Sequence, residues 1–198
     1  HFRHEHVKMA LLFKKWRTPK TKELLEEITD RFTELENSPK PDANNFFANI
    51  YYNALKFTYH YSLLDFENAL KAQTEVLKIW EESPEMIDSN QTAYIAQLSN
   101  YIGCSISCKE YKLADKAIRK LEKMETGTFD EEGELFQNLY FYKQYYYLNQ
   151  SDFENAIKLV PEIEEGLKKF SNKINPARKL SFYYNNTVSY FLTENYSA

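Results

Sequence analysis

The sequence predicts an all-α chain assembled from repeated helical hairpins. Three observations carry that reading. Only 4 Gly and 6 Pro stand among 198 residues, too few for a fold built on tight turns. The turn-forming residues that do occur are gathered into clusters, with long periodic stretches between them. And one heptapeptide is written twice: Asp-Phe-Glu-Asn-Ala-Leu-Lys at 65–71 and Asp-Phe-Glu-Asn-Ala-Ile-Lys at 152–158.

The breaker clusters are Asn37-Ser-Pro-Lys-Pro-Asp42, Ser83-Pro-Glu-Met-Ile-Asp-Ser-Asn90, Glu125-Thr-Gly-Thr-Phe-Asp-Glu-Glu-Gly133 and Ser171-Asn-Lys-Ile-Asn-Pro176. They divide one helical domain, 1–198, into a first hairpin at 1–36, units at 43–83, 90–125 and 132–171, and the start of a further unit at 177–198. Each full segment is too long for one typical helix and suits a pair. In the first hairpin Phe2, His6, Met9, Phe13 and Trp16 fall on one stripe. Thr18-Pro19 there reads as an N-cap and first helical residue.

The twin heptapeptides have a looser copy between them. Tyr111-Lys-Leu-Ala114 keeps the aromatic-x-x-Ala pattern of Phe66 to Ala69 and Phe153 to Ala156, and Asn195-Tyr-Ser-Ala198 begins it again. The aromatics Phe66, Tyr111, Phe153 and Tyr196 are 45, 42 and 43 residues apart, a period that signals an array. Five residues before each stand Tyr61, Ile106, Leu148 and Phe191. Eight before stand Thr58, Gly103, Tyr145 and Val188, and twelve before stand Ala54, Ser99, Phe141 and Tyr184. Those steps trace one face of a helix. Each unit therefore reads as a helix A, a very short turn, and a helix B that opens at the aromatic. Ser151 with Glu154 is expected to form a capping box, and Asp65 to cap the first helix B. The recurrent alanine lets the two helices approach closely. Pro161 is expected to kink or restart the third helix B.

The aromatic-x-x-Ala start of helix B, the apolar residue five earlier and the small Gly103 eight earlier resemble the tetratricopeptide repeat over residues 43–198. The usual period is 34, so these helices would be about a turn longer each. The resemblance implies a right-handed α-solenoid of antiparallel hairpins, TPR-like, whose concave face binds a peptide or protein segment. It implies no enzymatic activity.

Composition narrows the classes. The net charge of −4 argues against a general nucleic-acid binder. No apolar run is long enough for a membrane span. Two cysteines, Cys104 and Cys108, fit a reducing, cytoplasmic setting. Asp65 with Glu67, and Asp152 with Glu154, resemble paired catalytic carboxylates, yet acids at those positions serve a helix N-terminus equally well. His1, His4 and His6 sit at a terminus, and Cys104-x-x-x-Cys108 lacks the other half of a zinc site, so no metal and no cofactor is expected.

The helix-A register also sets a second face. It carries Leu55, Tyr59 and Ser62, then Asn100, Cys104 and Ser107, then Tyr142, Tyr146 and Asn149, then Asn185 and Ser189. Tyr59, Asn100, Tyr142, Tyr146, Asn149 and Asn185 are the expected lining of a partner-binding groove, because Tyr offers rigid contact area and Asn can grip a peptide backbone. The expected function is a non-catalytic interaction scaffold. The alternatives are an RNA-binding array using the basic residues Arg3, Lys8, Lys14, Lys15, Arg17, Lys20 and Lys22, or the regulatory region of a larger multidomain protein. Dimerisation through an exposed C-terminal face is a further expectation.

Overall fold

A computed structural model describes residues 21–42 and 44–193, and among these the chain is all helical with no strand. The expected first helix of the N-terminal hairpin, with its Phe2 to Trp16 stripe and its Thr18-Pro19 start, lies outside the described residues. The helices are α1 (Thr21–Asn37), α2 (Phe46–Ser62), α3 (Phe66–Glu81), α4 (Pro84–Ser89), α5 (Gln91–Ser107), α6 (Tyr111–Glu122), α7 (Phe129–Asn149), α8 (Phe153–Lys158), α9 (Val160–Lys169) and α10 (Pro176–Leu192). The chain divides into two compact units between Ile87 and Asp88.

In the first unit α2 packs on α1 and, far more extensively, on α3. Ile28, Leu35, Tyr52 and Leu55 are buried together, with Phe32 and Tyr59 packed against them. At the other end of the pair the Phe46 ring stands edge-on to the buried Trp80, 4.9 Å between centroids. In the second unit α5 packs on α6 and α7, and α6 on α7. α7 packs on α8, α9 and α10, and α10 meets α8 and α9. Its core joins Phe136, Leu159, Ile163, Leu167, Phe170, Ile174 and Phe182.

The same turn joins α2 to α3, α5 to α6 and α7 to α8. Leu64, Lys109 and Ser151 each adopt a left-handed backbone, with φ of 59°, 61° and 58°. The next amide donates back across the turn: Asp65 N to His60 O, Glu110 N to Ser105 O and Asp152 N to Tyr147 O, at 2.9, 2.8 and 2.9 Å. The left-handed residue's own amide donates three residues back, to Tyr61, Ile106 and Leu148. This is the Schellman ending of a helix. The residue that closes it is also the N-cap of the next helix, so one helix ends and the next begins within three residues. One turn further, Ala69, Ala114 and Ala156 are each fully buried.

That geometry corrects one expectation. The N-cap of α8 is Asp152, not Ser151, because Ser151 occupies the left-handed position that ends α7. Asp152 accepts from the Asn155 amide, and Glu154 is exposed. A true capping box forms instead at α7, where Thr128 Oγ1 accepts from Glu131 N and Glu131 accepts from Thr128 N. Pro161 does restart the helix: α8 stops at Lys158 and α9 begins at Val160.

Two close contacts fix α7 against its neighbours. Gly166 on α9 lies under the Phe136 ring, so that a Cβ there would overlap Cε2 and Cζ. Between α7 and α10, Gln144 Nε2 donates to Asn186 Oδ1 at 2.8 Å, with both residues buried.

Three outcomes follow for stability, read by urea or thermal unfolding. Lys109→Gly removes the cost of a left-handed non-glycine residue and raises stability by about 1 kcal/mol. Ala114→Leu overpacks the α5–α6 contact and costs about 1–3 kcal/mol. Gly166→Ala gains helix propensity yet destabilises by a similar amount, because the Phe136 ring must move.

Candidate functional site

The acids of the twin heptapeptides are engaged locally. Asp65 Oδ1 accepts from Asn68 N at 3.2 Å and Oδ2 from Asn68 Nδ2 at 2.8 Å, while Lys71 Nζ donates to Asn68 Oδ1 at 3.1 Å. Asp152 repeats the arrangement with Asn155 and Lys158, at 3.2, 2.7 and 3.2 Å. Asp, Asn and Lys of the signature are thus one hydrogen-bonded clasp over the first two turns of helix B. Glu67 and Glu154 point to solvent. General acid–base work needs carboxylates converging on one substrate position, and this clasp spends each Asp on its own helix. The hydrogen bonds from Asn68, joined by the His60 ring at 3.0 Å from Oδ2, hold the Asp65 carboxyl below its ordinary pKa.

Cys104 is buried on α5, and Cys108 caps the C-terminal end of that helix. Burial, with Cys108 as a smaller influence, pushes the Cys104 thiol up to about 12, so it is a packed thiol and not a thiolate. Among the described residues no group of three or more His, Cys, Asp or Glu is placed to hold a metal ion. The His1, His4 and His6 cluster and the basic residues through Lys20 lie outside the described residues. The described α1 is acidic: Glu23, Glu26, Glu27, Asp30 and Glu34 line a shallow groove with Arg31. No helix among the described residues is long and apolar enough to cross a membrane.

The most built surface lies in the second unit, along α7. Glu134, Asn138, Tyr142, Tyr146 and Asn149 follow one another at helical spacing. At the α7 N-terminal half an open cleft of about 730 Å³ is lined by Glu134, Gln137, Asn138, Lys173, Asn175 and Arg178, among others. Gln137 and Asn138 side chains both donate to the Glu134 carboxylate. Arg178, in the first turn of α10, lays its guanidinium over the Phe141 ring at 3.9 Å and stands 5.8 Å from the Tyr142 ring. It links the polar cleft to the tyrosines further along. Tyr140 donates to Glu162 at 2.6 Å, and burial with that bond pushes its hydroxyl up to about 12, which keeps it a neutral donor.

The predicted groove residues are distributed unevenly. In the first unit Tyr59 is stacked on Phe32, with centroids 3.8 Å apart and planes within 3°. Asn185 is buried, and its carbonyl accepts from Ser189 Oγ. Tyr142 packs over Gly103, where an added Cβ would lie 3.2 Å from the ring. Tyr146 meets Tyr111 edge-on at 6.1 Å, and the Tyr111 hydroxyl donates to Asn149 O at 3.0 Å. Asn100, Tyr142 and Tyr146 are half-buried and Asn149 is exposed. The structure therefore brings Tyr142, Tyr146 and Asn149 onto one strip, stacks the half-buried Tyr59 on Phe32, and buries Asn185. Sequence reasoning missed Arg178 and Lys173. Their only sequence signal was a basic cluster around the breaker at 171–176. Comparison of the chain with known protein families, curated proteins and solved structures finds no match.

Asp65→Ala removes a cap and costs about 1 kcal/mol at neutral pH by chemical denaturation. Because the folded-state pKa is lowered, this contribution is present above the ordinary Asp value of about 4 and is lost as pH falls through the folded value. The difference between wild type and Asp65→Ala should therefore close on acidification, while Asp65→Asn, which still caps, stays near wild type at neutral pH.

Proposed function

We propose that this chain is a non-catalytic interaction scaffold, a TPR-like helical array that binds an extended peptide or protein segment along the α7 strip of the second unit. The observation that carries the reading is the continuity of that strip. A polar cleft offering Glu134, Asn138 and Lys173 runs through Arg178 into the half-exposed Tyr142, Tyr146 and Asn149. Hydrogen-bond acceptors, donors, groups of both charges and aromatic edges within one strip suit a peptide, whose backbone presents N–H and C=O alternately and whose side chains seek apolar contact. A solenoid arrangement is supported by the order of packing in the second unit, where each helix meets its near neighbours in the chain and the same hinge recurs. The signature acids support the non-catalytic part of the reading, since capping accounts for both aspartates. Two free thiols suit a cytoplasmic setting.

Panning the whole chain against a displayed peptide library tests this. Recovered peptides should bind wild type and lose at least tenfold in affinity to Arg178→Glu and to Asn149→Ala, with little change in thermal midpoint. Equal affinity for these variants would place the binding site elsewhere. Recovery of no peptide, together with RNA binding that weakens steeply with salt, would favour the nucleic-acid reading instead.

A further inference from the structure

Arg178 is a half-buried cation with no acid to pair with. Its guanidinium lies on the Phe141 ring and near the Tyr142 ring, and among the described residues it makes no hydrogen bond or ion pair. Its neighbours differ. Lys173, which lines the same cleft, is paired with Asp130, and Lys179, next in sequence, donates to the Ser171 carbonyl. The half-buried Lys143 on α7 is paired with Glu122. Glu134, the acid of the cleft, has its two oxygens occupied by the Gln137 and Asn138 side chains. It also stands seven residues before Phe141 on α7, about 10 Å along the helix axis. A guanidinium held partly out of water and unmatched by a carboxylate is costly unless a ligand completes it. The cleft offers an open acceptor as well. Asn138, only 6% exposed, spends its Nδ2 on Glu134, and among the described residues its Oδ1 accepts no hydrogen bond.

We propose that Arg178 selects the ligand: the segment bound along the α7 strip carries one acidic side chain near its middle, whose carboxylate pairs with this guanidinium. Selection of this kind presupposes the peptide-binding reading of the strip and adds the chemistry of what it takes. From Glu134 to Asn149 the strip follows fifteen residues of helix, about 22 Å, which about seven residues of extended chain would span. Phe141 and Tyr142 mark its midpoint. A segment laid along the strip therefore meets Arg178 in mid-course and presents a side chain there, not a chain terminus. A carboxylate fits better than a phosphate. One guanidinium matches one carboxylate through two parallel hydrogen bonds, whereas a phosphate group is met by a cluster of cations, and Lys173 and Lys179 are already engaged. The open Asn138 Oδ1 is then an acceptor for a backbone N–H of the same segment on the cleft side.

A displayed peptide library is panned in parallel against the whole wild-type chain and against Arg178→Glu. Wild type should enrich Asp or Glu at one central position, and Arg178→Glu should enrich Lys or Arg there. A wild-type binder is then synthesised with an acetylated start and an amidated end, labelled, and titrated by fluorescence anisotropy. Replacing its acid by the matching amide should weaken binding at least tenfold. Replacing the acid by Lys should make the peptide bind Arg178→Glu at least tenfold more tightly than wild type. Peptides that lose affinity to Asn149→Ala yet show no acidic preference would overturn the role of Arg178 and leave the strip as the binding site. Tighter binding of a phosphoserine version, or loss of binding on amidating the end, would overturn it too, since the anion would then be a phosphate or a terminal carboxylate. No recovered peptide, or binders indifferent to Asn149→Ala, would remove the strip itself and this role with it. If Arg178→Glu unfolds, Arg178→Gln replaces it, and the acid-to-amide change in the peptide should then cost nothing further.

Discussion

A three-residue turn between two antiparallel helices imposes the constraint from which the rest of this architecture follows. A chain leaving a right-handed helix can reverse within three residues only by passing through a left-handed backbone, which costs an L-residue energy. Here that cost is met at Leu64, Lys109 and Ser151, none of them glycine. What offsets it is the double use of the following residue, whose amide closes the first helix and whose backbone opens the second. Once the hinge is set, the alanine one turn later must be small, because the two helix axes are already close. The Asp–Asn–Lys clasp then secures the first two turns of helix B where the hinge has used up the slack.

Much of this could be read from the chain itself. The period near 43, the positions of Asp65 and the alanines, and the restart at Pro161 all follow from spacing and from what those residue types do at helix ends. The reading slipped by one residue at Ser151. Ser and Asp cap equally well, and only the bond from Asp152 N to Tyr147 O decides which of them lies outside the first helix. Periodicity also reveals that a helix A has a second face without saying what lies against it. Tyr59 is half-buried, and Phe32, 27 residues away in sequence, stacks on one face of its ring. For Arg178 the basic cluster near 171–176 is the one trace in the sequence, and its place depends on the Phe141 ring 37 residues earlier.

The abundance of Tyr and Phe fits the same picture. Long helices crossing at close range leave gaps that are wide and shallow, and flat rings fill them. Tyr146 against Tyr111, Phe136 against Phe170 and Phe182, and Arg178 over Phe141 are contacts of this kind. Tyr suits the margins because its hydroxyl can remain hydrogen-bonded there while its ring is packed, as Tyr140 and Tyr111 do. A surface made this way is rigid before any ligand arrives, so a bound segment would lose its own freedom without the scaffold losing much.

The buried Gln144–Asn186 pair has a consequence for how the chain finds its partners while folding. A chain that repeats one pattern about every 43 residues offers α7 several A helices of similar apolar character as neighbours. Greasy contacts alone would tolerate an exchange, or a slip of one turn, with little penalty. An amide donating to an amide inside the core is far less forgiving, because any other alignment strands two polar side chains away from water. The bond between α7 and α10 therefore acts as an address. It identifies the one neighbour, in the one register, that belongs there, and it discriminates among look-alike segments where hydrophobicity cannot.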